Sequence, residues 1–341
     1  MRLGVAKFPA DTPRLLAIGG FANGSRWSIP WEQGTRSIFS GTIRWGSMGL
    51  MSRALWHVNR SPLRWAVKAG VNTWHLNEKR ERRRQAQLMA VTPAERSKAD
   101  DLNRDGYAIV TDLIDSKIQE QIAEAGQVRL QNIEAAESGQ SSNWKKFWVR
   151  LLDAEMRDGQ LSADNVFVQY ALQAPVINVI SAALGEIPWL DYVLLSYSRY
   201  TGEELASSQL WHRDHDDVRV IKFFSYLTDV EEDGDGPFTF LPRQATDKFG
   251  YPLLSSHFPD EQVFSKVPRS DIKVMKAPRL AAFMVDTTKC LHMGSRMGPG
   301  HGRLLYTATF FCFPRMAPKQ SKRPFFATPS TTELQKLVMG L

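Results

Sequence analysis

The chain changes character at Trp189. From there to residue 316 it offers short β-branched and aromatic runs, "YVLLSYSRY", "VIKFFSYLTDV", "PFTFL", "AAFMV" and "RLLYTATFF", parted by glycine and proline. Ahead of that point the apolar residues recur mainly at helical spacing. Helices first and strands later predict an α+β unit. Its strands should form a sandwich or small barrel, a double-stranded β-helix of the jelly-roll or cupin type, flanked by N-terminal helices. No internal repeat is evident.

The helical part carries clear start and stop signals. Ser61-Pro62 reads as a cap followed by proline at the first helical position, and Leu63, Val67, Gly70 and Trp74 then recur on one side with Arg64 and Lys68 on the other. A charged run, Glu78 to Arg84, follows. A helix packed on the barrel with a solvated charged end is expected here, in preference to a basic amphipathic helix on a membrane or an acidic partner. Thr92-Pro93 opens a second helix that ends near Asp105-Gly106. The stretch "YAIVTDLI" reads as a strand. Asp115 then caps a helix with Ile118, Ile122 and Ala125 inward and a tail to about Glu137, and residues 138–143 are a loop. Ala174-Pro175 opens a helix that Gly185 should close. The expected organisation is a basic extension over 1–90 with an amphipathic helix and a main domain over 91–320. That domain divides into a helical part 91–188 and a jelly-roll core 189–316, and a tail spans 321–341.

Charge is unevenly placed. The net charge of +7 conceals 17 Lys/Arg against 6 Asp/Glu in residues 1–100, so the rest of the chain is net negative. Basicity therefore belongs to the N-terminal part, and no nucleic-acid partner is expected of the catalytic part. Two cysteines exclude a disulfide framework and fit a reducing, cytoplasmic setting. No run of 18 apolar residues exists, and Asp11, Pro13 and Arg14 interrupt any secretory signal. The irregular pattern of residues 1–50, with Trp27, Trp31 and Trp45, leaves translation from Met48 or Met51 as an alternative to Met1.

Chemistry concentrates in "QLWHRDHDD". On extended backbone His212 and Asp214 point to one side, because strand side chains alternate. His292 lies at the end of a later apolar strand. Two imidazoles and a carboxylate leave half of an octahedral metal open, the ligand set of non-haem Fe(II) oxygenases. His215-X-Asp217 overlaps the first pair, but Leu210 and Trp211 place His212 at the end of an apolar run, so the first pair is preferred. A lone histidine at a strand end is more often a structural group, yet His292 gains weight from its order after the pair. Arg303 opens an apolar strand, where an unpaired guanidinium is costly; a docked carboxylate would remove that cost, as would an internal acid. Lys222, inside another apolar strand, is a candidate second anion anchor. Tyr197 and Arg199 could face a substrate. Cys290 is expected to pack.

Three blocks, "QLWHRD", "VIKFFSYLTDVEEDGDGPFTFLP" and "APRLAAFMVDTTKCLHMGSRMGPGHGRLLYTATFF", resemble the phytanoyl-CoA dioxygenase family of Fe(II)/2-oxoglutarate oxygenases. "LNRDGYAIVTDLIDSKIQEQI" resembles the way that family's domain opens, so the likeness spans about residues 100–316. It implies that His212, Asp214 and His292 bind Fe(II) and that Arg303 holds the distal carboxylate of 2-oxoglutarate, with O2 as second co-substrate. The implied reaction is hydroxylation or a related oxidation of a small-molecule or carrier-tethered metabolite. The chain departs from the family at Leu241-Pro242-Arg243-Gln244, where a Pro-Gly-Ser-His turn is common. It departs again at Gly294, where a hydroxyl is common; Ser295 is the nearest substitute. The alternative is a cupin-type metal-dependent isomerase or epimerase that does not use O2, and a non-catalytic scaffold with a basic N-terminus is a third reading.

Overall fold

Capping chemistry sets the helical layer. The computed structural model describes residues 58, 61–134, 146–250, 256–316 and 324–341. Its longer helices are α1 (Leu63–Trp74), α2 (Leu76–Leu88), α3 (Pro93–Arg104), α4 (Ser116–Gln131) and α5 (Ala174–Leu184). At the start of α3 the Thr92 hydroxyl accepts from the Glu95 N–H, and the Glu95 carboxylate accepts from the Thr92 N–H. Two orphan donors are thus satisfied reciprocally, with Pro93 needing none. The Asp115 carboxylate accepts from the N–H groups of Lys117 and Ile118 at 2.8 and 3.1 Å. Gly185 closes α5 in the left-handed conformation at φ +70°, which glycine adopts without steric cost. Ile122 is fully buried, with Ile118 and Ala125 packed at the core's margin. The expected tail beyond residue 134, the loop 138–143 and residues 1–50 lie outside the described residues.

Helix α1 lies against the sheet domain, but not by its apolar side. Its one buried residue is Lys68. The Lys68 ammonium donates to Asp217 at 2.9 Å and to the carbonyls of Cys312 and Pro314. The charged end of the segment is solvated as the sequence suggests except at Lys79 and Arg82, which are buried. In α2, Lys79 reaches Glu186 at 2.6 Å and the Phe313 carbonyl, while Arg82 donates to the carbonyls of Ile187, Pro188 and Leu337. Part of the segment read as an extension is therefore joined to the domain by buried cations. His75 packs edge-on against Phe313.

In chain order the strands are β1 (Tyr107–Ile109), β2 (Trp148–Arg150), β3 (Leu161–Ser162), β4 (Trp189–Arg199), β5 (Trp211–His212), β6 (Val220–Tyr226), β7 (Phe238–Phe240), β8 (His257–Phe258), β9 (Lys273–Met275), β10 (Ala282–Asp286), β11 (His292–Met293), β12 (Gly302–Phe311) and β13 (Phe325–Phe326). Two antiparallel sheets dominate, ordered β1-β10-β6-β12-β4-β2 and β8-β5-β11-β7-β9. From β4 to β7 and again from β9 to β12 successive strands alternate between the two sheets, the winding of a jelly roll, with β8 added at the edge of the small sheet. "YAIVTDLI" is a strand only to Ile109, after which residues 111–113 form a single 3₁₀ turn.

The large sheet is apolar on both faces, and alternation sorts them. Ile221 and Phe223 of β6, with Leu304, Tyr306, Ala308 and Phe310 of β12, pack with the helices. Phe224 and Tyr226 of β6, Phe283 and Val285 of β10 and Leu305 of β12 meet Phe238 and Phe240 of the small sheet. Each such side chain, fully buried, stabilises the fold by roughly 1.5–3 kcal/mol. Between the sheets the apolar fill is interrupted by Lys222, Arg303 and a few hydroxyls, and those interruptions mark the site.

Candidate metal centre

Strand pairing brings the two histidines together. In the antiparallel pair β5–β11, His212 stands directly opposite His292, and their ring centroids are 4.3 Å apart. Just past β5, the Asp214 N–H donates to the Thr287 carbonyl at 3.0 Å. One ligand atom from each of His212, Asp214 and His292 falls within 4.8 Å of the others, the one such group among the described residues. Between the pair, Arg213 turns away and donates to the carbonyls of Thr246 and Gly250. Trp211 is buried, and its indole N–H donates to Asp260 at 2.8 Å, which anchors the strand that carries His212.

The second overlapping pair is not assembled in this way. Asp217 is buried, held by Lys68 and by the N–H groups of Val218 and Met316. It belongs to the contact between α1 and the domain.

Hydrogen bonds assign the tautomers. His212 Nδ1 lies 2.9 Å from the Leu210 carbonyl, and His292 Nδ1 lies 2.9 Å from the Cys290 carbonyl. A carbonyl can only accept, so each Nδ1 carries the proton and each Nε2 keeps its lone pair for a ligand. Burial, with the neighbouring His292, pushes His212 down to about 3, and burial pushes His292 down to about 4. Both rings are therefore neutral near pH 7, the form that binds metal. Burial works to raise the Asp214 carboxyl, but Lys222 and the two imidazoles outweigh it and hold the group well below the usual carboxylate range.

Lys222 has a different station from the one its sequence position suggests. Its ammonium lies 2.7 Å from Asp214 Oδ2, so it is spent on the carboxylate of the cluster rather than standing apart as an anion anchor. Its register partner on β12 is Thr309, whose hydroxyl is buried with no hydrogen-bond partner.

Arg303 enters the same space from β12 and is 2% exposed. Its guanidinium donates to the Gly236 carbonyl and, at 2.9 Å, to the Ser295 hydroxyl, which also meets Ser198 at 3.0 Å. The Tyr226 ring centroid lies 6.0 Å away. All these partners are neutral. Among the described residues no carboxylate lies within ion-pair distance of Arg303, and its Nε is buried with no partner. Burial drives its pKa down, opposed by Tyr226. Ser295 adopts φ +59°, uncommon for a residue with a Cβ, and so directs its hydroxyl at Arg303.

Other expectations resolve simply. Tyr197 packs with the helix-side core, while Ser196 and Ser198 occupy the opposite face of β4; Arg199 is exposed at the strand's end. Cys290 is buried and its thiol is pushed well up by burial. Residues 243–249, where the family turn is missing, form a short helix. Sequence reasoning missed His257, whose ring stacks on His212 at 5.3 Å because β8 pairs with β5. It also missed Ser198 and Tyr226 beside Arg303. The alternation of β4 and β6 could have found the last two, whereas nothing in sequence announces His257.

No family model matches the chain, and no curated protein matches it. Among solved structures it is similar to EctD from S. alaskensis with 2-oxoglutarate and 5-hydroxyectoine, at 14% identity and TM-score 0.47, over 67% of this chain and 80% of that one. It is similar to SnoN, the non-heme alpha ketoglutarate dependent epimerase from nogalamycin biosynthesis, at 15% and 0.43, over 64% and 83%. HygX from Streptomyces hygroscopicus with nickel, 2-oxoglutarate and hygromycin B bound follows at 12% and 0.42, over 63% and 86%. At these values the likeness is one of chain path, and the functional argument rests on the residues described above.

Proposed function

We propose that the protein is an Fe(II)/2-oxoglutarate-dependent dioxygenase that hydroxylates or otherwise oxidises a small-molecule or carrier-tethered metabolite. His212, Asp214 and His292 would hold the iron, and Arg303, assisted by Ser295, would receive the distal carboxylate of 2-oxoglutarate. The observation that carries the reading is Arg303: a buried guanidinium with neutral partners alone, in the same inter-sheet space as a His/His/Asp cluster. Leaving a buried cation without a counter-charge is costly, and a dianionic co-substrate would supply one through a charge-assisted pair. A metal isomerase has no evident use for that arrangement.

The donor set fits a first-row divalent metal. It offers two Nε2 lone pairs with Nδ1 held by carbonyls and one carboxylate kept ionised, with coordination positions left over. Bound Fe(II), with 2-oxoglutarate and O2, would supply the oxidising power for an unactivated C–H bond, yielding succinate and CO2. This chain's residues do the rest. The β5–β11 register fixes the imidazoles, Trp211 and Arg213 anchor the strand and the turn behind them, and the apolar fill between the sheets excludes water. The sequence blocks point, within this class, to the phytanoyl-CoA dioxygenase family. The free thiols of Cys290 and Cys312 fit a cytoplasmic setting.

Anaerobic titration with Fe(II) and then 2-oxoglutarate is the test. The expected result is one Fe(II) per chain and a metal-to-ligand charge-transfer band on adding co-substrate. His212→Ala should abolish metal binding, whereas His215→Ala should keep it. Fe(II) bound with no charge-transfer band at millimolar 2-oxoglutarate would defeat the oxygenase reading and favour the isomerase. Loss of iron in His215→Ala alone would move the site to the overlapping pair.

A further inference from the structure

Helix α1 faces the wrong way for a helix whose sole task is packing. An amphipathic helix on a globular domain turns its apolar stripe inward. Here Leu63, Val67 and Trp74, which share one side at helical spacing, point to solvent, and Lys68 points in. Trp74 is 88% exposed, Leu63 62% and the neighbouring Trp65 55%. Leu76, at the junction with α2, is exposed as well.

The orientation is fixed. Rolling α1 to bury its stripe would draw Lys68 away from Asp217, and α2 could not follow without parting Lys79 from Glu186. Either move strands a buried carboxylate, which is strongly unfavourable. The stripe is thus presented outward by the same ion pairs that hold the segment in place.

Beside the stripe the surface is cationic. Arg80, Arg83 and Arg84 of α2 are exposed, and Arg64 lies over the Trp65 ring at 5.7 Å. Two acids stand among them, Glu78 against Arg82 and Glu81 against Arg84, and Arg83 also lies 3.7 Å from Glu186, so the cations of α2 outnumber the acids they meet. Over residues 61–88 seven Lys/Arg stand against two Asp/Glu. Two copies meeting through this face would bring like charges together, so a second copy fits poorly. A surface with negative headgroups above an apolar layer matches both features. Tryptophan favours that boundary, arginine beside an apolar stripe is the composition of interfacial helices, and each basic side chain near an anionic leaflet adds to the attraction.

We propose that α1 is a peripheral membrane anchor. Its Leu63, Val67 and Trp74 enter the interface of an anionic bilayer while the arginines of α2 meet the headgroups. Among the described residues no helix is long and apolar enough to cross a membrane, so the attachment is to one leaflet and reversible. The inference stands apart from the metal centre.

The test uses the full chain and sedimentation with two vesicle types, pure phosphatidylcholine and phosphatidylcholine mixed with phosphatidylglycerol. Binding is expected to the anionic vesicles, to fall as salt rises, and to drop roughly tenfold or more in the double variant Leu63→Glu/Trp74→Glu, since an embedded apolar side chain contributes upward of 1.4 kcal/mol. The variant should keep the wild-type melting temperature and Fe(II) stoichiometry. Absence of binding to either vesicle, or binding indifferent to lipid charge, overturns the proposal. A dimer in sedimentation equilibrium that the double variant dissociates would assign the stripe to a second copy. A lowered melting temperature in the variant would assign it to another part of this chain.

Discussion

Lys79 and Arg303 are both buried, at 5% and 2% exposure, yet one is saturated and the other is not. Lys79 has a carboxylate at 2.6 Å and a backbone carbonyl besides. Lys68, close by in sequence, repeats the pattern with Asp217 and two carbonyls. Arg303 has a carbonyl, a hydroxyl and an aromatic ring, and its Nε has nothing. A buried cation is tolerable when its field is answered. Where the protein answers the field itself, the residue is structural. Where it withholds the answer, the missing charge must come from outside. The same residue class thus marks a seam at one place and, on the function proposed above, a binding site at the other.

The largest effect expected is at the seam. Lys79→Met would leave Glu186 buried with only the largely exposed Arg83, 3.7 Å away, to answer it, and should destabilise the fold by roughly 3 kcal/mol, read as a lowered urea midpoint. Lys79→Met/Glu186→Leu should recover most of that loss, because apolar replacement of both partners is often neutral. An unmoved midpoint in the single variant would break the comparison at its structural end.

At the other end, Arg303→Ala removes a cation with no counter-charge of its own, so stability should change far less than in Lys79→Met. Co-substrate affinity should suffer instead. Charge-assisted hydrogen bonds contribute about 1.5–3 kcal/mol, which corresponds to roughly ten- to a hundredfold in 2-oxoglutarate affinity. Fe(II) affinity should hold. Arg303→Lys should restore only part, since a point charge lacks the planar fork. The charge-transfer titration reads all three, and equal 2-oxoglutarate affinity in wild type and Arg303→Ala would sever Arg303 from the co-substrate.

How much of this was legible in sequence depends on how far each interaction reaches along the chain. Local chemistry was readable. Thr92-Pro93, Asp115, and Ala174-Pro175 with Gly185 each declare a helix end within a few residues, and the structure has all three. The jelly roll followed from strand runs after a helical part. The site residues that pointed the same way by alternation, His212 with Asp214, were also readable, and the structure sets His292 and Arg303 in the same inter-sheet space. What escaped was decided at a distance. Periodicity shows that α1 has two faces, but which face turns inward is settled by Asp217 and the carbonyls of Cys312 and Pro314, far along the chain. Lys222 was visible as a charge in an apolar strand, while its partner depends on how the segment after β5 crosses to the other sheet. His257 reaches His212 by a strand pairing that no local pattern encodes.

Lys222 stands between the two cases, since its partner is itself a candidate ligand, and it allows the finest test. Its ammonium lies 2.7 Å from Asp214 Oδ2, so a divalent ion bound by that carboxylate shares it with a cation that repels the metal. It also keeps Asp214 ionised against burial. Lys222→Met should therefore act in opposite directions at different pH. The sign follows from the proton. In the wild type the Asp214 pKa is depressed, so protons compete with metal there only at low pH. Without Lys222 the opposing influence of burial is less well countered, the pKa rises, and competition begins at higher pH. At pH 8, where the carboxylate is ionised in both proteins, the variant should bind Fe(II) or Mn(II) more tightly, by about tenfold or less, or up to 1.4 kcal/mol. As pH falls, the advantage should shrink and then reverse. Metal titrations at several pH values, followed by calorimetry, give the two curves. Curves that run parallel across the range would show that Lys222 does not govern the charge of Asp214, and a loss of binding at every pH would make its ammonium a support of the metal site and not a competitor within it.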